Sequence, residues 1–124
     1  MTANPERRRR AERQGRGAER LAGLWLRAKG LGILVSRFQS PQGEIDLIAR
    51  RGRLLLFVEV KARSDDAAAA EAVTARQRGR IERAAQAFLQ RRPELAGCEM
   101  RFDAVLIRPG RLPRHIKDAW RPHS

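Results

Sequence analysis

The chain has 124 residues, 33% of them charged, and its 27 lysines and arginines outnumber its 14 aspartates and glutamates. The net charge of +13 predicts attraction to polyanions, nucleic acid first and an anionic membrane surface second, although an arginine-rich composition inherited from a GC-rich genome would explain part of it. Cys98 is the single cysteine, which excludes an intramolecular disulfide and fits a reducing compartment. No apolar stretch follows the basic N-terminus, and none reaches the roughly 20 residues that span a bilayer, so we expect a soluble, cytoplasmic, single-domain protein without a membrane partner.

The N-terminal part of the chain divides into a basic segment and an amphipathic one. Residues 1–12 are predicted to form a basic flexible arm, because ERRRRAER offers little to bury. Apolar residues at helical spacing then predict a helix over residues 17–29, with Gly30 as its C-cap and Glu19 beside its apolar stripe. The stripe comprises Ala18, Leu21, Ala22, Trp25 and Ala28.

Three predicted strands follow over residues 32–40, 44–50 and 54–63, joined by the turn signals PQG and RRGR. The third strand, LLLFVEVKAR, begins with apolar residues on both faces, which is typical of the middle of a covered sheet. Because side chains alternate along a strand, Glu59 and Lys61 share one face.

The rest of the chain alternates between helix and strand patterns. Residues 64–72, SDDAAAAEA, are expected to form a loop, and residues 74–91 a helix that Pro93 ends. EMRFDAVLI is a fourth strand, and the tail is basic and punctuated by prolines. The predicted domains are an arm (1–12), a folded domain (13–110) and a basic C-terminal tail (111–124).

The predicted order α-β-β-β-α-β indicates an α/β fold with a mixed central sheet flanked by helices. Short links make the first three strands an antiparallel meander. The long helix before the fourth strand is typical of a parallel crossover connection.

Ionisable side chains occur where the predicted sheet should be apolar. Glu59 and Lys61 are about 6.5–7 Å apart along one strand, and pairing across the hairpin brings Asp46 level with Glu59. On the second strand, Glu44, Asp46 and Ile48 share one face. Two carboxylates that hold Mg²⁺ beside a lysine are what metal-assisted phosphodiester cleavage requires. A structural salt bridge or a solvated strand edge explains the same spacing equally well.

Other polar residues have competing interpretations. Asp103 is expected to pair with an arginine rather than to support metal ligands. His115 and His123 have no partner at metal spacing, so they are predicted to be solvent-exposed. Trp120 fits stacking on a base or packing in the protein. The second helix offers candidates for phosphate contacts in Arg76, Arg78 and Arg80.

Four segments carry a family resemblance that extends over roughly residues 17–107. GAERLAGLWLRAKGLGIL, GEIDLIARRGRLLLFVEVKAR, TARQRGRIERAAQAFL and RFDAVLI resemble the YraN-like uncharacterised bacterial proteins. These are similar to the PD-(D/E)xK nuclease superfamily and, within it, to archaeal-type Holliday junction resolvases. Ile45 stands where the superfamily's name has proline, which leaves the acid at position 46 in place.

The resemblance implies a three-layer restriction-endonuclease-like fold and a Mg²⁺ (or Mn²⁺) cofactor. It implies Asp46 and Glu59 as metal ligands, to which the Val60 carbonyl is added as a third. Lys61 would be the catalytic lysine, and Glu19 would face the site from the first helix.

Gln77 has two interpretations. Related nucleases carry a glutamine on the helix that follows the Glu-x-Lys strand, where it supports the lysine. TARQ also fits a capping box, with Thr74 at the N-cap and Gln77 at N3.

The leading hypothesis is therefore a metal-dependent endonuclease-like protein that acts on DNA. Its substrates would be selected by structure rather than by sequence, such as branched recombination or repair intermediates, and a homodimer would match the resolvases. The alternatives are a catalytically inactive nucleic-acid-binding module and a basic interaction protein with an acidic partner.

Overall fold

The structure, a computed structural model, describes residues 5–62 and 73–122, with side chains from residue 16 onward. The predicted loop at residues 64–72 and His123 lie outside the described residues. Two α-helices, a short 3-10 helix and five strands make up the described chain. They are α1 (Pro5–Ala28), β1 (Gly32–Ser40), β2 (Gly43–Arg51), β3 (Leu54–Ala62), α2 (Ala75–Arg91), the 3-10 helix (Pro93–Leu95), β4 (Glu99–Ile107) and β5 (Arg114–Trp120).

The five strands form one mixed sheet in the order β1-β2-β3-β4-β5. The β3–β4 pair is parallel and the other three pairs are antiparallel. This confirms the predicted meander and the parallel connection through α2. No helix in the described ranges is long and apolar enough to cross a membrane.

Each face of the sheet carries a hydrophobic core. On one face, which we call the α2 face, Leu55 and Phe57 pack with residues of α2 such as Phe88. On the opposite face, the α1 face, Leu56 and Val58 pack with residues of α1. All four of these β3 side chains are fully buried, so β3 is the covered central strand that its sequence predicts.

Helix α1 differs from its prediction in start and in orientation. It begins at Pro5, so residues 5–12 are helical although they were predicted to be an arm. Low apolar content argues against burial but not against helix, and arginine, glutamate and alanine are good helix formers. The buried positions are Ala18, Ala22 and Leu26, whereas Leu21 is 42% exposed, so the buried face is rotated from the predicted stripe.

The predicted element order lacks β5, which lies in the segment treated as a tail. Residues of β5 pair with β4, with Ile116 opposite Ala104 and Trp120 opposite Phe102. The Trp120 ring stacks on Phe102 at 5.3 Å and is buried, so Trp120 belongs to the core rather than to a base-stacking surface.

Candidate active site

The β2–β3 ladder ends before the strands do. Its register runs from Arg51 opposite Leu54 to Leu47 opposite Val58, yet β2 begins at Gly43 and β3 continues to Ala62. One further step in the same register would place Asp46 opposite Glu59. The two strands therefore separate at the predicted acidic pair, and the backbone groups along the gap need other partners.

The Asp46 side chain is the hydrogen-bond partner of one backbone group along this gap. The Val60 N–H donates to Asp46 Oδ2 at 2.8 Å. Because the N–H and C=O of one strand residue point toward the same neighbouring strand, the Val60 carbonyl faces the gap as well. The predicted acid and the predicted backbone ligand thus lie on the two sides of one opening.

Asp46 also joins two further carboxyl groups. Its carboxyl is close enough to Glu59 of β3 and to Glu19 of α1 for its charge to raise the pKa of both. Burial and the charge of Asp46 raise the pKa of Glu59 to about 7, although Lys61 opposes the change. Burial and Asp46 likewise raise the pKa of Glu19, against the effect of Arg37. These shifts indicate that the neighbouring carboxyls do not all ionise readily at once.

Burial is also the largest cause that raises the pKa of Asp46 itself. The Val60 N–H, the Glu59 side chain and the Lys61 charge all oppose the shift. The groups that stabilise the ionised Asp46 therefore all come from β3.

Lys61 lies beside Glu59, as their spacing predicts. Lys61 Nζ is 3.2 Å from Glu59 Oε1, and the side chains are only 13% and 14% exposed, respectively. Both residues follow Phe57 at alternate positions, which puts them at the end of the α2 face.

Arg37 belongs to the site, and sequence reasoning missed it. Its Nε is 3.0 Å from Glu19 Oε2, and its φ of +58° lies in the left-handed region that non-glycine residues rarely adopt. Nothing in the local pattern of β1 singles out Arg37 among the chain's many arginines. Together, Arg37, Glu19, Asp46, Glu59 and Lys61 form a row that is acidic in the middle and basic at both ends.

The regular alternation of β1 and β2 changes at this level. Val35 and Phe38, three residues apart, pack in the same cluster, and so do their partners Ile48 and Ile45. Simple alternation would put Ile45 and Ile48 on opposite faces of β2, but both pack in the same cluster. The alternation that was expected to place Glu44, Asp46 and Ile48 on one face is therefore interrupted between Ile45 and Ile48. This change lets the Asp46 side chain enter the gap between strands instead of standing on one face.

Two clefts open beside the acidic group. The first, which we call the α1 groove, has a volume of about 490 Å³ and contains Glu19. Its basic lining residues are Arg16, Arg20, Arg27 and Arg37. The second, the α2 cleft, has a volume of about 440 Å³ and is lined by Glu59, Gln77, Arg80 and the β1–β2 turn. The carboxyl groups are therefore approachable from both faces of the sheet.

Gln77 forms the predicted capping box. Its N–H donates to Thr74 Oγ1 at 3.2 Å, and the Thr74 N–H donates to Gln77 Oε1 at 3.1 Å. The capping interpretation is confirmed. Because the cap uses only the amide oxygen, Nε2 stays available to the α2 cleft that Gln77 lines together with Glu59.

The three arginines predicted to contact phosphate have different surroundings. Arg78 is held by the protein, since its Nε donates to the Val73 carbonyl at 3.0 Å and its guanidinium lies 5.7 Å from the Trp120 ring. Arg76 is exposed in the first turn of α2. Arg80 lines the α2 cleft, so it is the member of this set that lies close to Glu59.

Two further expectations concern Asp103, whose prediction is confirmed, and His115, whose prediction is wrong. Asp103 is fully buried and pairs with Arg101 through contacts of 2.8 and 2.9 Å, as predicted. The prediction of an exposed His115 is wrong, since its side chain is 1% exposed and its Nε2 lies 2.7 Å from Asp103 Oδ2. The cause is β5, which brings His115 against β4.

The side chains of the acidic group offer only oxygen donors to the implied metal. Among the described residues, no group of three or more histidine, cysteine, aspartate or glutamate side chains could hold a metal ion. Mg²⁺, however, usually takes one or two protein carboxylates and completes its shell with water and substrate phosphate. Asp46 and Glu59, at opposite positions where β2 and β3 separate, fit that smaller requirement.

The fold and the site define an α/β protein whose mixed five-stranded sheet carries a buried acid–lysine group where two strands separate. The model of the uncharacterised protein family UPF0102 matches residues 18–107, a range that includes every member of that group. The chain belongs to this family.

Curated relatives agree over nearly the whole chain. The UPF0102 protein amb4503 of Paramagnetospirillum magneticum is 60% identical over 115 residues, covering 90% of this chain and 89% of the relative. A UPF0102 protein of Parvibaculum lavamentivorans is 55% identical over 112 residues, covering 90% and 84%. One of Maricaulis maris is 50% identical over 115 residues, covering 93% and 91%. These names state a family and no activity.

Proposed function

We propose that the protein is a metal-dependent endonuclease-like protein that hydrolyses phosphodiester bonds in DNA, with a restriction-endonuclease-like fold. The proposal is carried by one observation: Asp46 and Glu59 occupy opposite positions where β2 and β3 separate, with the Val60 N–H 2.8 Å from Asp46 and Lys61 3.2 Å from Glu59. The helix on each face of the mixed sheet and the resemblance to PD-(D/E)xK nucleases support it.

The acidic side chains would hold Mg²⁺ or Mn²⁺, with the Val60 carbonyl as a further oxygen donor. A bound cation of this kind polarises phosphate and lowers the pKa of a coordinated water. Asp46 is the carboxyl whose charge acts on both of the others, so it is the central member of the donor set. The Val60 N–H fixes the Asp46 carboxyl in turn.

Lys61 and Arg37 supply positive charge at the two ends of the row. Lys61 is mostly buried, so its ammonium acts in an environment where electrostatic interactions are stronger than in water. It would orient the attacking water or stabilise charge that develops on the phosphate. Glu19 would assist through its contact with Asp46, while Arg37 offsets the accumulated negative charge.

DNA would be held by its phosphates. The α1 groove brings four arginines around the acidic group, and Arg80 adds a charge on the α2 side. Arginine contacts to phosphate position a duplex without reading its sequence. We therefore propose structure-selective binding, with branched recombination or repair intermediates as the first substrates to examine and a homodimer as the first assembly.

The test is nicking of four-way, flapped and single-stranded DNA with Mg²⁺ or Mn²⁺. Asp46→Asn keeps an acceptor for the Val60 N–H, and Lys61→Met keeps an apolar stem, so both variants should fold. Each should lower the cleavage rate by about 100-fold or more, a typical cost of losing a group that stabilises transition-state charge. Lys117→Met, on an exposed position of β5, is the matched control. Equal cleavage by wild type and both variants would make the assignment wrong.

A non-catalytic nucleic-acid-binding module is the second candidate. It is favoured because the charged side chains of the site already have partners within the protein: Lys61 pairs with Glu59, and Asp46 accepts a hydrogen bond from the Val60 N–H. It predicts salt-sensitive DNA binding without cleavage under any of the metal conditions. A basic protein with an acidic protein partner would instead show no DNA binding at about 0.15 M salt.

A further inference from the structure

A second polar chain runs through Lys29, His115 and Asp103, away from the acidic group. His115 Nε2 is 2.7 Å from Asp103 Oδ2, and His115 Nδ1 is 3.1 Å from Lys29 Nζ. The imidazole is 1% exposed, whereas Lys29 is an exposed residue just after α1. A buried histidine therefore bridges a buried carboxylate and an amine that faces solvent.

Asp103 determines which nitrogen of His115 carries a proton. It accepts two bonds from Arg101 and one from the Asp118 N–H at 2.9 Å, in addition to His115. Burial opposes ionisation, but the bonds from His115, Arg101 and Asp118 keep the pKa of Asp103 below its ordinary value. An ionised carboxylate can only accept, so His115 Nε2 carries the hydrogen and Nδ1 presents its lone pair to Lys29.

The surroundings of Lys29 favour its neutral form. Partial burial and the neighbouring Lys117 lower the pKa of Lys29, while the charge of Asp103 acts in the opposite direction. Its ammonium also lies 5.7 Å from the Trp25 ring, which favours the charged form. When the shared proton moves to Nδ1, Lys29 becomes a free amine and the imidazolium is paired with Asp103.

We propose that Lys29 is a nucleophilic lysine that is modified by small acyl donors such as acyl phosphates, with His115 as its base and Asp103 as the residue that orients His115. The Lys29 nitrogen attacks the acyl carbon, so an N–C bond forms and the C–O bond to phosphate breaks. Two protons leave the Lys29 ammonium in all. His115 Nδ1 takes the first before the attack and releases it to solvent, and then takes the second from the nitrogen after the N–C bond has formed and passes it to the departing phosphate. The products are an amide, inorganic phosphate and one proton, and no oxidant or reductant is involved.

The chain provides its own internal controls, because its lysines are only Lys29, Lys61 and Lys117. The intact protein is treated with acetyl phosphate at pH 7.5, and the occupancy of each lysine is followed by peptide mass spectrometry. Lys29 should react at least about tenfold faster than the exposed Lys117, because a positioned general base typically contributes more than that factor. In His115→Asn, the Lys29 rate should fall to within about twofold of an unchanged Lys117 rate.

Equal rates at Lys29 and Lys117 in the wild type would overturn the proposal, as would a Lys29 preference that survives His115→Asn. If that variant does not fold, the wild-type pH profiles decide. The Lys29 rate should level off at a lower pH than an ordinary lysine requires, because its pKa is lowered, and parallel profiles for the two lysines would overturn the proposal. The result does not depend on whether the acidic group cleaves DNA.

Discussion

The carboxyl of Glu59 shows how one residue can have both a structural and a chemical role. Its burial and its contact with Asp46 make ionisation costly, and its pKa of about 7 places its titration near neutrality. Like charges that face each other across strands are destabilising, and a shared proton removes one of them. The same pair is the proposed cation site, so protons and cations would compete for it.

Glu59 should make the folded state less stable as the pH rises from about 4.5 to about 7. In this window the folded protein retains the Glu59 proton that the unfolded chain has lost, so the free energy of unfolding falls with pH. The total loss should be up to about 3 kcal/mol, and Glu59→Gln should remove most of it. Urea denaturation at several pH values without divalent cations measures the effect.

Glu94→Gln is the control for this experiment, because Glu94 is exposed and paired with Arg92. Burial of Glu94 is negligible and its pKa is lowered by the bond from Arg92, so its titration lies below the window. An identical pH slope in wild type and Glu59→Gln would contradict the prediction.

At the scale of elements, the close approach of the β1–β2 turn to α2 shapes the α2 cleft. A Cβ added at Gly43 would lie 2.8 Å from the Arg80 carbonyl oxygen and 3.2 Å from Arg80 Cβ. The obstacle includes backbone, which cannot move aside as a flexible side chain can. The absent side chain of Gly43 thus sets the distance between the turn and the helix.

Gly43→Ala should destabilise the protein by about 1–3 kcal/mol, as overpacking of a close contact typically does. The turn and α2 must separate to admit the methyl group. Gly97→Ala is the matched control, because a Cβ there would meet nothing within 4 Å. Thermal and urea denaturation of both variants check the prediction, which fails if the two losses are the same.

At the scale of the whole molecule, the fold places part of the positive charge behind the net +13 in one groove. The α1 groove collects arginines around the acidic group, while the β2–β3 turn with Arg53 lies at the other end of the same strands. If the groove binds DNA, the salt dependence of binding should depend on its arginines and not on charge in general.

Arg16→Gln and Arg20→Gln, which flank Glu19 in the α1 groove, should each weaken duplex binding and make the slope of log K against log salt less steep by about 0.9, the value for one lost phosphate contact. Arg53→Gln removes the same charge from an exposed position far along the strands and should change the slope much less. Binding is measured by fluorescence anisotropy across a salt series without divalent cations. Equal changes in all three variants would show that the groove has no special role.

Local patterns predicted much of the fold and part of the site. Alternation identified β3 as the covered strand, TARQ identified the cap of α2, and the hairpin register put Asp46 opposite Glu59. Each of these depends on residues close in sequence or joined by a short turn. The assignment of Asp46, Glu59 and Lys61 to catalysis stays a prediction for the cleavage assay.

Other features depended on partners that are distant along the chain. Arg37 reaches Glu19 only because β1 bends where its alternation changes, and no local spacing encodes that contact. The strand β5 was missed because its many basic residues leave no clear apolar alternation in the sequence. Its apolar residues Ile116 and Trp120 have their partners on β4, which is distant along the chain. His115 is buried for the same reason.

The sequence by itself determined the elements around the central hairpin, the cap of α2 and the positions of the acid–lysine residues, because periodicity and turn chemistry act over a few residues. Only the tertiary structure decided that β2 and β3 separate at Asp46, that Glu19 and Arg37 join the acids, and that Asp103 orients a buried His115. These contacts join α1 to β1 and β4 to β5, and packing across the sheet, rather than local propensity, brings them together.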